Sequence, residues 1–464
     1  MARANSKPRK SKSAATSPKP RRPAPVVPAP VAGDFLDRFF GLTEAGTSIG
    51  TELRAGLATF LTMAYIMFVN PAILEKAGMD HGAVFVATCL AAAISSIVMG
   101  LYANYPIALA PGMGLNAYFA FTMVPELGGN WQLALGLVFL SGVIFFILSV
   151  TPARDWLVNA IPMNLKLGIA AGIGLFLALV GFENAGIVTG DPSTLVKLGD
   201  VSQAQVLLAG AGFMLIAGLA AQRIPGAIII GVLAVTFLAV VFGLQQFEGF
   251  AAPPPSLEPT LFKMNLSGAF TLASMVMMLA LLLVTILDAS GTLIGVARQA
   301  DLLDEDGNLP RARQALLADS SASIVGAVLG TSTTTAYIES AAGVEEGGRT
   351  GLTAIVVAVL FLLSLFLAPL AKTVPLYATA PALIFVAFLM AKSLGAINWH
   401  DPTEYIPALM IAILMPLTYS IATGIGLGFI AYVVLKLVAG RYREINAAVA
   451  VIAAAFLVKL IFTA

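Results

Sequence analysis

The chain has 464 residues, 58% of them hydrophobic and 11% charged, with a formal net charge of +1. Soluble domains carry about 25% charged residues, so this is the composition of a membrane protein, and the near-zero net charge leaves no global field to recruit nucleic acid or an acidic partner. One cysteine, Cys89, excludes an intramolecular disulfide, and two histidines, His81 and His400, both in polar connections, supply no metal-ligand cluster.

Residues 1–34 combine Lys, Arg, Pro, Ser and Ala with too little apolar surface to fold alone, which predicts a disordered, basic, Pro-rich cytoplasmic tail. No apolar stretch follows its basic residues before the prolines, so it does not read as a signal peptide. The remainder, 35–464, is expected to be one membrane domain. Apolar segments fall near 55–75, 83–102, 131–150, 165–183, 204–222, 226–244, 268–290, 313–330, 351–370, 378–396, 404–421, 423–440 and 446–462. Most are long enough to cross a hydrocarbon core of roughly 30 Å as helices.

Two shorter stretches break the pattern, 107–124 around "PIALAPGMGLNAYFAF" and 330–346 around "GTSTTTAYIESAAG". Irregular backbone at membrane depth is tolerated only where it faces protein or a watery cavity, so these stretches point to a site. With the tail inside and both stretches counted as crossings, Arg154, Arg223, Arg298, Arg311, Arg349, Lys392 and Arg441 fall on cytoplasmic connections. Lys76, Lys197, Lys263 and Lys372 fall opposite. That bias predicts fourteen crossings up to residue 440. The run 446–462 is an extra apolar segment, with Lys459 near its end placed to snorkel.

One constant offset lays "NAYFAF" (116–121) on "TAYIES" (335–340) and Val69 on Asp288, so the broken stretches occupy equivalent places in two halves, about 50–245 and 265–440. Seven segments per half would invert the second half in the membrane, as in many secondary transporters.

Asp288, in "LLLVTILDASGTLIG", and Glu339, in "TTTAYIESAAG", stand out by depth. An ionised carboxylate near the bilayer centre costs at least about 2.5 kcal/mol, so such groups face the bundle interior, a partner or a water path. Each could exchange a proton while hydrogen-bonding a solute, or simply pin two helices together. Glu183, Asp319, Glu345 and Glu346 lie nearer predicted segment ends, where solvated or capping roles are expected. Asn116 donates and accepts at once, which suits a ligand edge alternating N–H with C=O or ring nitrogen. Gly112 and Gly114 allow close backbone approach. Tyr118, Phe119, Phe121 and Tyr337 could stack on a flat ring or simply pack, and Thr333, Thr334 and Thr335 could satisfy their own broken backbone.

Four long motifs in order, "LTEAGTSIGTELRAGLATFLTMAYIMFVNPAIL" (42–74), "APGMGLNAYFAF" (110–121), "LDASGTLIGVARQADLLDEDGNL" (287–309) and "TTTAYIESAAGVEEGGRTGLTA" (333–354), carry a resemblance to a known family. Over about residues 35–462 the chain resembles the nucleobase:cation symporters, in the AzgA-like adenine/guanine/hypoxanthine permease branch. The resemblance implies an all-α polytopic membrane protein with fourteen transmembrane segments as two inverted repeats of seven. It implies core and gate domains moving against each other in an elevator-like cycle, with segments 3 and 10 broken by short strands. It places substrate binding on Asn116, Asp288 and Glu339; Gly114, Phe119, Thr335 and Ile338 are further candidates around them, and proton coupling is expected on Asp288 and Glu339.

No cofactor is expected beyond the coupling proton, and no enzymatic activity. The expected partners are a purine nucleobase and the lipid bilayer; a homodimer is allowed and nucleic acid is not expected. The expected place is a bacterial inner membrane, N-terminus cytoplasmic. Two positions depart from the family pattern. Thr285 stands where the branch commonly carries a second acid, which shifts coupling mainly onto Asp288, and Thr292 stands where uracil-type relatives carry a histidine. Other readings are a carrier of another nucleobase such as uracil or xanthine, a small-anion carrier on the same fold, and an intramembrane aspartyl hydrolase using Asp288 and Glu339. An anion carrier would want a cation at mid-membrane, where none is predicted; the hydrolase leaves the Asn116 stretch unexplained.

Overall fold

A computed structural model describes residues 35–151, 160–304 and 309–463; the stretch 1–34, expected as a basic tail, lies outside the described residues, as does Arg154. In chain order the first part contains α1 (Phe35–Phe40), α2 (Ile49–Met63), α3 (Ile66–Glu75), α4 (His81–Val98), β1 (Leu109–Pro111), α5 (Met113–Tyr118), α6 (Val124–Glu126) and α7 (Trp131–Val150). Then come α8 (Met163–Asn184), β2 (Val188–Asp191), β3 (Leu195–Leu198), α9 (Ala204–Ala221) and α10 (Ala227–Val241). The second part contains α11 (Leu272–Gln299), α12 (Ala312–Leu329), β4 (Thr334–Ala336), α13 (Ser340–Glu345), α14 (Gly351–Ser364) and α15 (Ala368–Thr373). The last helices are α16 (Leu376–Ala391), α17 (Pro402–Thr418), α18 (Ile421–Val438) and α19 (Ala447–Thr463). Among the described residues nine helical stretches are long and apolar enough to cross a membrane, and three apolar helices are shorter. The protein is a mostly helical, polytopic membrane protein.

Helix starts follow local chemistry. Ser48, Asp80, Asn130, Thr271, Asp401 and Ser420 each accept a first-turn backbone N–H with the side chain, satisfying donors that have no carbonyl within their own helix. α14 is capped twice. Thr350 accepts from Leu352 N, and the carboxylate of Glu52, fully buried on α2, accepts from Arg349 N at 2.9 Å and from the Thr353 hydroxyl at 2.6 Å.

The helices pack in two groups. In one, α2, α4, α7, α12 and α14 surround the broken stretches; in the other, α8 packs on α16 and α17, α17 on α18, and α9 on α10 and α16. Small residues let the second group close up: a Cβ on Gly168 of α8 would lie 2.6 Å from the Ala408 carbonyl oxygen of α17. Without a hydrophobic drive between helices in lipid, such close approach supplies the packing.

The two broken stretches meet. β1 runs antiparallel to β4 with Leu109 opposite Ala336, Ala110 opposite Thr335 and Pro111 opposite Thr334, and Gly112 N–Thr333 O and Tyr337 N–Ala108 O extend the ladder. Three-residue strands at this depth leave open edges, and small polar side chains close them. Ser96 accepts from Leu109 N, Ser340 accepts from Ala108 N, Ser323 donates to Thr334 O, and Asp319 accepts from Ala336 N. Unpaired backbone in hydrocarbon would cost several kcal/mol per group, so these serines are what make a strand possible here.

Several expectations need correction. Asp319, expected to be solvated or capping, is fully buried within α12 and fastens β4. Lys459 does not snorkel outward; its Nζ lies 2.8 Å from Glu126 Oε2, tying α19 to α6. The offset that lays Asn116 on Thr335 does not match the elements, because Thr335 is mid-strand while Asn116 lies in the helix after the other strand; strand on strand lays Ala110 on Thr335. A second ribbon, β2 with β3, occupies the connection after α8, and it is largely exposed.

Candidate functional site

The β1–β4 ribbon, α11 and α16 line an open cavity of about 110 Å³. The ribbon and its flanks contribute Gly112, Gly114, Thr335, Tyr337, Ile338 and Glu339; α11 contributes Asp288 and Thr292; α16 closes it with Val386 and Met390; Tyr65 comes from between α2 and α3. Asp288 and Thr292 are four residues apart on one helix face. Thr285, where an acid was lacking, is buried, and its hydroxyl donates at 2.8 Å to the Leu281 carbonyl of its own helix. Substitution of the acid there thus leaves no unsatisfied group.

Glu339 sits at the junction of β4 and α13 without capping the helix through its side chain. Its Oε1 accepts from the Tyr65 hydroxyl at 2.7 Å, and its carbonyl accepts from the Thr62 hydroxyl at 3.3 Å. Tyr337 donates its hydroxyl to the Pro111 carbonyl, closing the ribbon from the side. Thr335 donates to Asp319 at 3.0 Å.

The cavity therefore brings together Asp288, Glu339, Gly114, Thr335 and Ile338, and leaves Asn116 and Phe119 outside its lining. Asn116 is fully buried with Oδ1 accepting from Ser332, and Phe119 is packed in the core. Tyr118 is also turned away, donating at 3.1 Å to the Met277 carbonyl. Sequence reasoning passed over Tyr65, whose only signal was a hydroxyl-bearing aromatic inside "LTMAYIMF". Among the described lining residues there is no Lys or Arg, and among the described residues no group of three or more His, Cys, Asp or Glu could hold a metal. A roomier hollow of about 800 Å³ lies at helix ends, but Asp80 there is engaged as a cap and Glu75 pairs with His81 at 2.9 Å.

Chemically, the site offers two carboxylates that accept hydrogen bonds, a threonine hydroxyl that can do either, an aromatic ring and an apolar wall. It suits a small, flat, uncharged solute with N–H groups on its rim.

Residues 50–427 match the model of a permease family, Xan_ur_permease. The chain is 48% identical over 428 residues to the adenine permease AdeP of Escherichia coli strain K12, a match covering 92% of this chain and 96% of that one. It is 47% identical over 433 residues to the guanine/hypoxanthine permease PbuO of Bacillus subtilis strain 168, covering 91% and 99%. Among solved structures, the transmembrane domain of a cyanobacterium bicarbonate transporter, BicA, matches with a TM-score of 0.62 at 16% identity, over 80% of this chain and 96% of that one. The murine anion transporter Slc26a9 in its inward-facing state matches at 0.60 and 12% identity, over 89% and 73%. At such identities the likeness is one of fold alone.

Proposed function

This chain belongs to the Xan_ur_permease family of permeases, and from that premise we propose that it carries a purine nucleobase, adenine, guanine or hypoxanthine, across a bacterial inner membrane. It is a transporter, not an enzyme. The observation that carries the reading is the cavity at the ribbon, where Asp288 and Glu339 line one small space with no Lys or Arg among the described lining residues. The carboxylate of Glu339 can accept from ring or exocyclic N–H groups, Thr292 can answer a carbonyl or ring nitrogen, and Tyr337 can cover a ring face. Two carboxylates in the lining disfavour a small anion there.

In this reading the chain crosses fourteen times, seven segments in each half with the second inverted, its N-terminus cytoplasmic. The helices around the ribbon form a core that slides, elevator-like, against a gate formed by α8–α10 and α16–α18. Asp288 is the proton-coupling group. It accepts a proton from outside, completes the site together with bound purine and releases the proton inside. Such symport requires that protonation and purine binding favour each other by one reciprocal free energy. The test is uptake of radiolabelled adenine, guanine and hypoxanthine into proteoliposomes across pH, with and without an uncoupler. Saturable uptake of at least one purine that collapses with uncoupler is expected; no uptake or counterflow of any of the three overturns the reading.

A further inference from the structure

We infer that Tyr65 is the positioning residue of the substrate site: its hydroxyl anchors one oxygen of Glu339 and so aims the rest of that carboxylate at the bound solute. The inference rests on the nucleobase reading of the cavity and extends it to a residue of the first crossing.

The first crossing, Ile49–Glu75, tightens near its middle. α2 ends at Met63 and α3 begins at Ile66, with Ala64 and Tyr65 between them and tight turns from Met67 N to Ala64 O and from Phe68 N to Tyr65 O. Tyr65 is fully buried and lines the cavity, its hydroxyl 2.7 Å from Glu339 Oε1. A hydroxyl donating to a carboxylate is among the stronger hydrogen bonds, and it fixes direction as well as distance.

The backbone of Glu339 is held by the same crossing. Thr62 donates to its carbonyl, and α13 lies so close on α2 that a Cβ on Gly343 would fall 2.2 Å from Thr59 Oγ1 and 2.5 Å from the Ala55 carbonyl oxygen. Both ends of residue 339 are thus set by α2 and the tight turn after it. Since the side chain of Glu339 does not cap α13, Tyr65 is the side chain of another element that orients it. A carboxylate has about four acceptor positions; Tyr65 takes one of them, and positions are left over for N–H groups on the solute rim.

Tyr65→Phe removes the hydroxyl and keeps the ring. The expected result is a KM for purine uptake raised about ten- to hundredfold, the range for losing a hydrogen bond to a charged group, with maximal rate within about threefold of the unsubstituted protein and the ligand-free melting temperature unchanged. Thr62→Val, which cuts the second tether, is measured in parallel and is expected to raise KM in the same direction. A wild-type KM in Tyr65→Phe overturns the role of Tyr65, whatever Thr62→Val does. So does a Tyr65→Phe protein that loses maximal rate, melting temperature or membrane insertion, because that pattern marks a structural hydroxyl. Absence of purine uptake by the unsubstituted protein refutes instead the nucleobase reading beneath it.

Discussion

Gly114 links the site to the second helix group, and replacing it should wedge the two apart. A Cβ built there lies 2.4 Å from Cγ2 of Ile173 on α8, 3.8 Å from its Cβ and 4.0 Å from its Cδ1. Ordinary contact begins near 3.4 Å, so one branch methyl must retreat by roughly 1 Å. Ile173 is a β-branched residue within a helix, where χ1 has one strongly preferred rotamer, and it is itself 4% exposed, so it has little room to turn. Overpacking of this kind costs about 1–3 kcal/mol. Gly114→Ala should therefore lower the melting temperature of the purified protein and reduce purine uptake. Ile173→Ala alone should also destabilise, by about 2–5 kcal/mol, through the cavity it leaves. Combined, the new methyl occupies part of that cavity, and the double variant should be more stable than the sum of the two single effects by at least about 1 kcal/mol, a coupling that touching residues show. Paired thermal melts and initial uptake rates of the four proteins decide it. Additive losses would refute the claim that Gly114 is there to let α8 approach the ribbon.

Glu339→Ala should abolish saturable purine binding, read as loss of purine-induced thermal stabilisation; retained stabilisation would remove Glu339 from the site. Asp288→Asn should keep counterflow of labelled purine but lose accumulation: one proton moving through 100 mV is worth about 2.3 kcal/mol, roughly a fiftyfold gradient, and a variant that still reaches it would end the coupling assignment. Glu52→Ala should cost about 1–3 kcal/mol in thermal stability, since it strands buried donors of Arg349 and Thr353; an unchanged melt would show that water replaces the cap. At the membrane face, hydrogen bonds from Arg441 and Thr403 hold the Asp401 carboxyl down at about 2, and Arg441 with Lys436 holds Glu444 at about 2 as well. Both sit below their ordinary values, so the stabilisation is complete above about pH 5 and fades as pH falls toward 2. The difference in melting temperature between the unsubstituted protein and Arg441→Ala should shrink over that window, and a difference that stays constant would argue against the pairing.

What could be read from the sequence, and what could not, follows from how many explanations each residue type has. A carboxylate inside an apolar run has few, so Asp288 and Glu339 were legible, and glycine, proline and threonine clustered at membrane depth announced the broken stretches. A tyrosine in an apolar run has many, so Tyr65 read as packing. Asn116 and Gly114 were both assigned to the cavity, yet residues two apart on a helix face nearly opposite ways; once Gly114 lines the space, Asn116 must turn from it, and it turns to Ser332. Long-range partners, such as Lys459 with Glu126 or Asp319 with the strand after its own helix, carry no local signal at all. The structure adds the bookkeeping of acids. Glu52 is engaged in capping α14, Asp319 in holding β4, Glu126 in pairing with Lys459, and Glu404 in meeting Lys436 at 2.7 Å. Glu339 has given one oxygen to Tyr65, and Asp288 makes no hydrogen bond to a side chain among those described. Carboxylates that face a common cavity while Glu52, Asp319, Glu126 and Glu404 are tied to protein are the ones left to meet a solute and a proton, which is why these two carry the proposed transport.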